Sequence, residues 1–334
     1  MNKIEKSIKI NNIKKINDSF SLCCLDNIFT VFKFINKSLY LTYATRNKSI
    51  IIYNLSDDIK LCEIKKAHKE YITNFRHHFD KKNKRDLVIS ISTQDNNIKL
   101  WNINNLECLM DINNIYNEGY LNSACFLEDE NTNNIFVIAS NFNFNSHKEI
   151  KVFDLQGKEI KEIKNSNDKT YIILSYFDEI TKKNYIITGN MGSIKSFDFQ
   201  ENKVYNKFCD ESKRPHFSLL FHKRKNKQIL NLIESCYDGH IRIWNFHTNE
   251  LLNKIKISKG INSISLFLED FIFISCCDKT IKLLNLKNEE IQEFYGINKD
   301  IISLLIIRHP SSNCYHLITE GFEEDPIAIY NITF

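Results

Sequence analysis

The 334-residue chain contains only three prolines, and it has no run of 18 apolar residues. So few prolines exclude a long proline-rich linker, and the missing apolar run excludes a membrane-spanning helix. Apolar residues do not recur at helical spacing over three turns in any segment, which predicts little helix. No apolar segment follows the first residues, so we expect no signal peptide and an intracellular protein, cytoplasmic or alternatively nuclear.

Several chemical signatures are also missing. The phosphate-binding phrases G-x-x-x-x-G-K-[ST] and G-x-G-x-x-G are absent, and so is the G-x-S-x-G turn of hydrolases. The ten cysteines show no C-x-x-C spacing, and two pairs are adjacent, Cys23-Cys24 and Cys276-Cys277. Adjacent strand residues point to opposite faces and make poor joint metal ligands. We therefore expect buried, reduced thiols, no metal site and no cofactor.

The chain does contain a recurring phrase, in which a polar turn precedes a short alternating strand. Its strongest copies begin at Asp95, Asp238 and Asp278, and in each copy the aspartate lies six residues before Trp101, Trp244 or Leu284. Weaker copies bring the number to seven, with the aromatic or leucine residue at positions 53, 101, 153, 197, 244, 284 and 330. A period in the forties with one such strand per repeat indicates propeller blades of four strands.

The rest of each period has room for those four strands. In repeat 2 the strand-length segments are residues 71–77, 87–93, 98–103 and 108–112. We predict an all-β fold, a single seven-bladed propeller domain over residues 1–334 with repeats ending near 55, 103, 155, 199, 246, 286 and 332. Repeat 7 lacks a fourth strand. We expect an N-terminal strand within residues 4–24, from segment 7–10 or segment 20–24, to join the last blade and close the ring.

These phrases resemble the WD-repeat β-propellers over nearly the whole chain. That family has Gly-His before the first strand, Asp in the turn after the second, and Trp-Asp at the end of the third. Repeat 2 has Ala67-His68, Asp95 and Trp101-Asn102 at these places, whereas repeats 1, 3, 4 and 7 lack the turn aspartate. The resemblance implies a structural tetrad, in which Asp95 accepts from the His68 ring and the turn amides, Thr93 links them and the Trp101 indole completes the chain. The corresponding structural residues of repeats 5 and 6 are Asp238, Trp244 and Asp278.

A histidine near an aspartate and a hydroxyl also resembles a catalytic set. A hydrolase in the propeller channel would need convergent acidic or histidine side chains, but the best-placed aspartates occupy turn positions. We therefore expect no enzymatic activity and no catalytic residue. The pair His77-His78 with Asp80 suggests a metal site, but adjacent histidines of a strand diverge and no further ligand completes a set. We expect a hydrogen-bonded or solvated pair instead.

Two sets of loops are candidates for partner binding, and a propeller places them on opposite faces. The turns after the second strands form a mixed-charge rim with candidate residues Arg46, Asn96, His147, Lys148, Tyr237 and Lys279. The loops between first and second strands are cationic and would attract an anionic partner. Their candidate residues are Lys81, Lys82, Lys84, Arg85, Lys182, Lys183, Lys223, Arg224 and Lys225.

The resemblance implies a non-enzymatic scaffold for protein–protein interactions, present as a monomeric subunit of a hetero-complex. WD-repeat propellers often bind peptides or partner domains on the face that carries the rim. The alternative is a nucleic-acid or ribonucleoprotein-associated propeller that uses the basic loops. Lysine is abundant throughout the chain, so lysine-rich solvated loops explain the same pattern. The Phe-Arg-Arg-Gly motif of lipid-binding propellers is missing, because Phe75-Arg76-His77-His78 is a poor match.

Overall fold

The computed structural model describes residues 8–20, 28–34, 38–116, 119–142, 149–164, 168–223, 229–294, 300–309, 314–322 and 325–333. Within these ranges the regular structure consists of β-strands without a helix, which confirms the all-β prediction. Consequently, the described residues contain no helix that is long enough and apolar enough to cross a membrane.

The strands form seven antiparallel sheets of four. The first strand, β1 (Lys9–Ile16), belongs to the last blade. Blade 1 consists of β2 (Phe29–Lys33), β3 (Leu39–Ala44), β4 (Ile50–Asn54) and β5 (Ile59–Ile64). Blade 2 consists of β6 (Asn74–Asp80), β7 (Arg85–Ser92), β8 (Asn97–Asn102) and β9 (Glu107–Ile112). Blade 3 consists of β10 (Tyr120–Asp129), β11 (Asn134–Phe142), β12 (Glu149–Phe153) and β13 (Glu159–Lys164).

The remaining blades repeat this order. Blade 4 consists of β14 (Thr170–Asp178), β15 (Lys183–Asn190), β16 (Ile194–Asp198) and β17 (Lys203–Phe208). Blade 5 consists of β18 (His216–Lys223), β19 (Leu230–Cys236), β20 (His240–Asn245) and β21 (Leu251–Lys256). Blade 6 consists of β22 (Ile261–Phe267), β23 (Phe271–Cys276), β24 (Ile281–Asn285) and β25 (Ile291–Phe294). Blade 7 consists of β26 (Ile301–Arg308), β27 (Tyr315–Gly321) and β28 (Ile327–Thr333), with β1 as its fourth strand.

The antiparallel order gives the ring two distinct faces. We call upper the face that carries the turns between second and third strands together with the links from each blade to the next. The lower face carries the turns between first and second strands and those between third and fourth strands. The first strands of neighbouring blades contact one another, so they form the inner wall around the channel.

Both faces of each blade are buried, because successive residues of a strand point to opposite sides. In β7, Leu87 and Ile89 pack against blade 3, whereas Val88 packs with Trp101 against blade 1. An apolar cluster of this kind fills each of the seven gaps between neighbouring blades, including the gap between blade 7 and blade 1. The structure is therefore a closed seven-bladed β-propeller.

The N-terminal strand closes the ring, as predicted. β1 pairs with β28 along its length, from Lys9 opposite Thr333 to Ile16 opposite Ile327. The closing strand thus overlaps segment 7–10, and Phe20 follows it as an isolated residue without strand structure. Most of the other predicted segment, residues 21–24, lies outside the described residues.

The first strand of blades 3 to 7 carries a β-bulge near its upper end, where one residue has no partner in β-pairing. The bulged residues are Asn122, Tyr171, Phe217, Asn262 and Ile302. A bulge redirects its side chain locally. Nδ2 of Asn122 donates to the Thr170 carbonyl at 2.8 Å, and Nδ2 of Asn262 donates to the Ile301 carbonyl at 2.9 Å. The bulges at Asn122 and Asn262 therefore connect neighbouring inner strands at the upper mouth of the channel.

The strand limits of blade 2 differ from the prediction for one strand. β6 begins at Asn74 instead of residue 71 and extends to Asp80. The backbone N–H groups of Lys69 and Glu70 donate to the Asp95 carboxylate, which holds the preceding segment in the link between blades. That contact joins residues 26 positions apart, so it leaves no local signal in the sequence.

Because β1 closes the ring, we expect its inward side chains to stabilise the fold. Ile16 is buried between blades 7 and 1, whereas Ile13 occupies a bulge of β1 and is 50% exposed. We expect Ile16→Ser to lower the free energy of unfolding by about 3 kcal/mol, because it leaves a cavity and a buried hydroxyl. The matched control Ile13→Ser should change it by less than about 0.5 kcal/mol. Urea denaturation measures both, and equal effects would contradict the closing role.

Candidate functional site

The four residues predicted as a tetrad lie in and beside blade 2, but a different hydroxyl, that of Ser90, links His68 to Trp101. The Trp101 indole N–H donates to Oγ of Ser90 at 2.8 Å, and Nε2 of His68 lies 2.7 Å from the same oxygen. Asp95 accepts from the N–H groups of Lys69 and Glu70 at 3.2 and 3.3 Å. The Asp95 carboxylate thereby fixes the segment that carries His68.

The prediction for Thr93 was wrong. Thr93 lies beyond the end of β7, and its hydroxyl is 2.8 Å from that of Thr73 in the link. Ser90 is diagonal to Trp101 across the β7–β8 pair, because Val88 is directly opposite Trp101. Such a diagonal neighbour is within reach of an indole. The predicted bond between the His68 ring and Asp95 is also missing, since Nδ1 of His68 has no hydrogen-bond partner among the described residues.

The surroundings of His68 fit a structural role. Burial lowers the pKa of His68 to about 4, against the opposing effect of the Asp95 carboxylate. The ring is therefore neutral near pH 7. It is 3% exposed, as is expected for a histidine that belongs to the interior of a blade.

Blade 5 has an ionic network at the corresponding upper end. The Arg242 guanidinium is fully buried, and its Nε donates to Oδ2 of Asp210 at 2.6 Å. The same guanidinium is paired with Asp238 and lies 3.6 Å from Glu234, whose other oxygen meets the His216 ring. Burial alone would raise the pKa of Asp238, but hydrogen bonds from Arg242 and from a backbone N–H outweigh it, so this pKa is well below its usual range.

Three of the predicted structural residues are in blades 5 and 6. Asp238 accepts the His240 N–H at 3.0 Å, and Asp278 accepts the Thr280 N–H at 3.3 Å, so both are turn formers as predicted. Trp244 is buried in the cluster between blades 4 and 5, with its ring 5.8 Å from that of Phe208. Its indole N–H has no hydrogen-bond partner among the described residues, unlike that of Trp101.

A further repeated role was not predicted. At the end of the third strand, an Asn or Asp side chain accepts the N–H of the second residue after it. This bond recurs in blades 1 to 6, at Asn54, Asn102, Asp154, Asp198, Asn245 and Asn285. The bond fixes the turn to the fourth strand. The signal was present in the sequence, because the residue after the aromatic or leucine position is Asn or Asp in all seven copies.

The rim candidates on the upper face have different surroundings. Asn96 donates to the Tyr116 carbonyl at 2.6 Å and accepts the Leu121 N–H at 3.0 Å, so it joins two blades and is not a free contact residue. Arg46 is exposed over the Phe20 ring, and Lys279 is exposed at 3.4 Å from Asp300. Tyr237 is 44% exposed. The candidates His147 and Lys148 lie outside the described residues.

Several predicted basic-loop residues are paired with acids. Lys81 lies 3.3 Å from Glu128 and 3.5 Å from Glu130, so the acidic loop of blade 3 meets the basic loop of blade 2. Arg85 donates to Asp80 at 2.9 Å, and Lys183 lies 2.7 Å from Asp198 and 2.9 Å from Glu201.

The boundaries of these loops also need correction. Arg85, Lys183 and Lys223 are strand residues of β7, β15 and β18, not loop residues. Lys82 and Lys84 are exposed, and Lys182 lies with its ammonium 6.0 Å from the Phe177 ring. Arg224 and Lys225 lie outside the described residues. The cationic charge that the sequence suggested for this face is therefore partly neutralised.

The adjacent histidines of β6 diverge, as expected. His77 stacks on Phe32 of blade 1 at 4.0 Å and bonds to Asp86 at 2.7 Å. His78 points toward blade 3, where its Nε2 lies 3.5 Å from Glu128. Within the described ranges, no three His, Cys, Asp or Glu side chains are grouped so as to hold a metal ion. Among the cysteines described, Cys125, Cys236 and Cys276 are buried as predicted, whereas Cys108 and Cys209 are exposed.

An aromatic row crosses the upper mouth of the channel from blade 3 to blade 5. It consists of Phe142, Tyr171, Phe217 and Tyr237, and consecutive ring centres are 5.3, 5.5 and 5.6 Å apart in edge-to-face contacts. Two of these residues, Tyr171 and Phe217, occupy the bulges of their strands. We call this set the aromatic row. Sequence reasoning singled out Tyr237 alone, although an aromatic residue recurs near the start of the first strand in repeats 2 to 5.

Fold and site together define the class of this protein, a seven-bladed β-propeller with polar networks inside its blades and an aromatic row on its upper face. The chain was compared with models of known protein families and with curated proteins, and neither comparison gave a match.

The hydroxyl link in blade 2 can be tested within one strand. Ser90 and Ser92 both lie in β7 and are both fully buried, but only Ser90 bonds to Trp101, whereas the Ser92 hydroxyl has no partner among the described residues. We expect Ser90→Ala to lower the free energy of unfolding by about 1–3 kcal/mol, because it leaves a buried indole N–H unsatisfied. The control Ser92→Ala should be neutral or stabilising. A larger loss for Ser92→Ala would refute the assignment.

Glu320 predicts a pH dependence of stability. It lies in β27 and is 2% exposed. By the pairing of first and second strands, the equivalent residues of other blades are Ser140, Ser235 and Ser275. Burial raises the pKa of Glu320 well above its usual value. The stability that this group contributes is therefore complete below the unfolded-state pKa and is lost as the pH rises through the folded-state pKa.

We expect Glu320→Gln to become progressively more stable than the wild type as the pH rises above about 4.5. The difference in the free energy of unfolding should grow by up to about 1.4 kcal/mol for each pH unit until the folded-state pKa is reached. The amide has nearly the same shape and cannot ionise. Urea denaturation at pH 4, 6 and 8 measures the difference. A difference that stays constant over this range would show that the carboxyl group is not buried in the folded protein.

Proposed function

We propose that the chain is a non-enzymatic interaction platform of the WD-repeat type, a monomeric subunit that holds partner proteins on the two faces of its ring. The observation that supports this proposal is the exposure of large apolar side chains at both faces. On the upper face these residues are Tyr120, Met191, Tyr237 and Phe322, and on the lower face they are Phe79, Ile180, Ile229 and Leu268. Exposed apolar side chains that lie together mark sites of protein interaction, and on the upper face Met191 and Tyr237 are held on either side of one link.

The interior of the ring supports the same proposal. The residues that resemble a catalytic set in the sequence form hydrogen bonds inside blade 2, where the Trp101 and His68 rings both bond to the Ser90 hydroxyl. In blade 5 the buried Arg242 guanidinium is paired with Asp210 and Asp238 and lies 3.6 Å from Glu234. Such networks make the blades rigid and leave contact with partners to the surface loops. The proposed location is intracellular, in the cytoplasm or the nucleus, where cysteine thiols stay reduced.

The alternative, a nucleic-acid partner on the basic loops, has weaker support. Pairing with Glu128, Glu130 and Asp198 neutralises Lys81 and Lys183. A protein binds nucleic acid more tightly when its cations neutralise phosphates and release their counterions. Cations that are already paired with acids contribute less to this affinity. The exposed pair Lys82 and Lys84 is the described part of this surface that such a partner would contact.

The two-face proposal is tested with one variant for each face. The upper-face variant Met191→Asp/Tyr237→Asp and the lower-face variant Phe79→Asp/Ile180→Asp place charges on exposed positions, so each should lower the melting temperature by only about 2–4 °C. Tagged wild type and variants are purified from the cells in which the protein occurs, and the bound proteins are quantified by mass spectrometry. We expect each variant to lose a different subset of partners.

Three results would contradict the proposal. In the first, the tagged wild type retains no protein beyond those found in an untagged control. In the second, both variants keep every partner. In the third, both variants remain folded but lose the same partners. A partner that is lost on nuclease treatment and on Lys82→Glu/Lys84→Glu, but kept by the upper-face variant, would favour the nucleic-acid alternative.

A further inference from the structure

The aromatic row and Met191 place several apolar side chains on the upper face of blades 3 to 5. Met191 is exposed in the upper turn of blade 4, where its N–H donates to the Lys169 carbonyl at 3.1 Å and its backbone pairs with Pro215. Pro215 in turn accepts the Tyr237 N–H at 2.9 Å. Backbone bonds thus hold the exposed side chains of Met191 and Tyr237 on either side of one link, with the partly exposed rings of Tyr171 and Phe217 beside them.

This surface is fixed before any partner arrives. The rings of Tyr171, Phe217 and Tyr237 support one another edge to face, with interplanar angles of 71–76°. Edge-to-face pairs of this kind are favourable contacts in themselves. A partner therefore has little conformational entropy to remove from this surface, and preorganisation of that kind increases affinity.

Three of the acids around the row are already paired. Asp168 lies 2.7 Å from Lys195 of β16. Asp210 accepts from Arg242 and from Lys254 at 2.9 Å, and Asp238 is bound to Arg242. These carboxylates consequently contribute little negative charge to the surface above them.

The cations around the row are not paired in the same way. Lys213, Arg214 and Lys259 are exposed, and none of the three forms an ion pair among the described residues. Lys213 and Arg214 lie in the link before Pro215, and Lys259 lies in the link that packs against the turn of Tyr237 and Gly239. Glu211 is the opposing exposed charge in the first link, so three cations face one carboxylate. A surface that is apolar along its centre and positive at its sides favours an acidic partner.

We propose that the aromatic row binds an acidic peptide segment of a partner protein, in which Asp or Glu residues flank an apolar anchor side chain. The anchor occupies the space beside Tyr237 and Met191, and the carboxylates pair with Arg214 and Lys259. This inference rests on the proposed function, because it assigns a partner chemistry to the upper face. Single-stranded nucleic acid is disfavoured, because bases stack on open ring faces, whereas these rings cover one another edge to face.

The test uses a random twelve-residue peptide library displayed on phage and selected on the full-length protein. We expect the enriched sequences to combine Asp or Glu with Leu, Phe or Trp. A synthetic peptide of the consensus is then titrated by fluorescence anisotropy. Tyr237→Ala and the double variant Arg214→Glu/Lys259→Glu should each weaken binding about tenfold or more, since central aromatic and arginine residues dominate such interfaces. The lower-face control Lys82→Glu/Lys84→Glu should bind as the wild type does.

The peptide proposal is overturned by any of four results. These are a selection without enrichment, enrichment of basic peptides, peptide binding that the upper-face variants leave unchanged, and displacement of the peptide by a twenty-residue oligothymidylate of similar affinity. Circular dichroism melting confirms that each variant is folded. If partners are lost from the upper-face variant in cells but the selected peptides carry no acidic residues, the proposed function stands and only the acidic chemistry fails.

Discussion

Apolar packing between neighbouring blades is the constraint on which the structure depends. Each blade is a four-stranded sheet with two apolar faces, and neither face has a cover other than the next blade. A linear row of blades would leave two of these faces exposed to water, at a large cost in free energy. The closed ring removes both exposed faces, and it does so because β1 completes blade 7, so that Ile16 and the blade 7 strands pack against blade 1. The closing strand thus allows all seven blades to bury both of their apolar faces.

Burial on both faces also determines where charge is tolerated. In blades 2 to 6 the second residue of the recurring third-strand phrase is Lys or Arg, and each of these cations lies near a carboxylate because an unpaired buried charge is costly. The pairs are Lys99–Asp111, Lys151–Glu159, Lys195–Asp168, Arg242–Asp238 and Lys282–Glu293. In blades 1 and 7 the position holds Ile51 and Ala328, which line the apolar gaps on either side of the closing strand's blade. The acids that serve these pairs are unavailable to a partner, whereas the exposed cations Lys213, Arg214 and Lys259 of the upper face form no ion pair among the described residues.

The sequence predicted the parts of this structure that are local. The turn and the alternating third strand lie within ten residues of one another, so their recurrence was sufficient to predict seven blades and a closing strand from the N-terminus. The linking hydroxyl was assigned to Thr93 instead of Ser90 because the choice depends on the register between β7 and β8, which spacing alone does not determine. The neutralised basic loop depends on contacts between residues 81 and 128, in different blades. Aromatic residues recur near the start of the first strand in repeats 2 to 5, but the bulges that present Tyr171 and Phe217 depend on strand pairing, so the aromatic row became visible only in the folded ring.

The central claim is that function belongs to the loops and turns around a rigid, closed ring. Hydrogen–deuterium exchange of the free chain and of the assembly isolated from its cells tests this claim most directly. The account predicts that partner binding slows exchange in the upper turns and links, at residues 191–193, 212–217 and 237–239, and leaves the third strands unchanged because they are already protected in the free protein. Equal exchange of these turns in the free and assembled states, or new protection confined to the third strands, would contradict it.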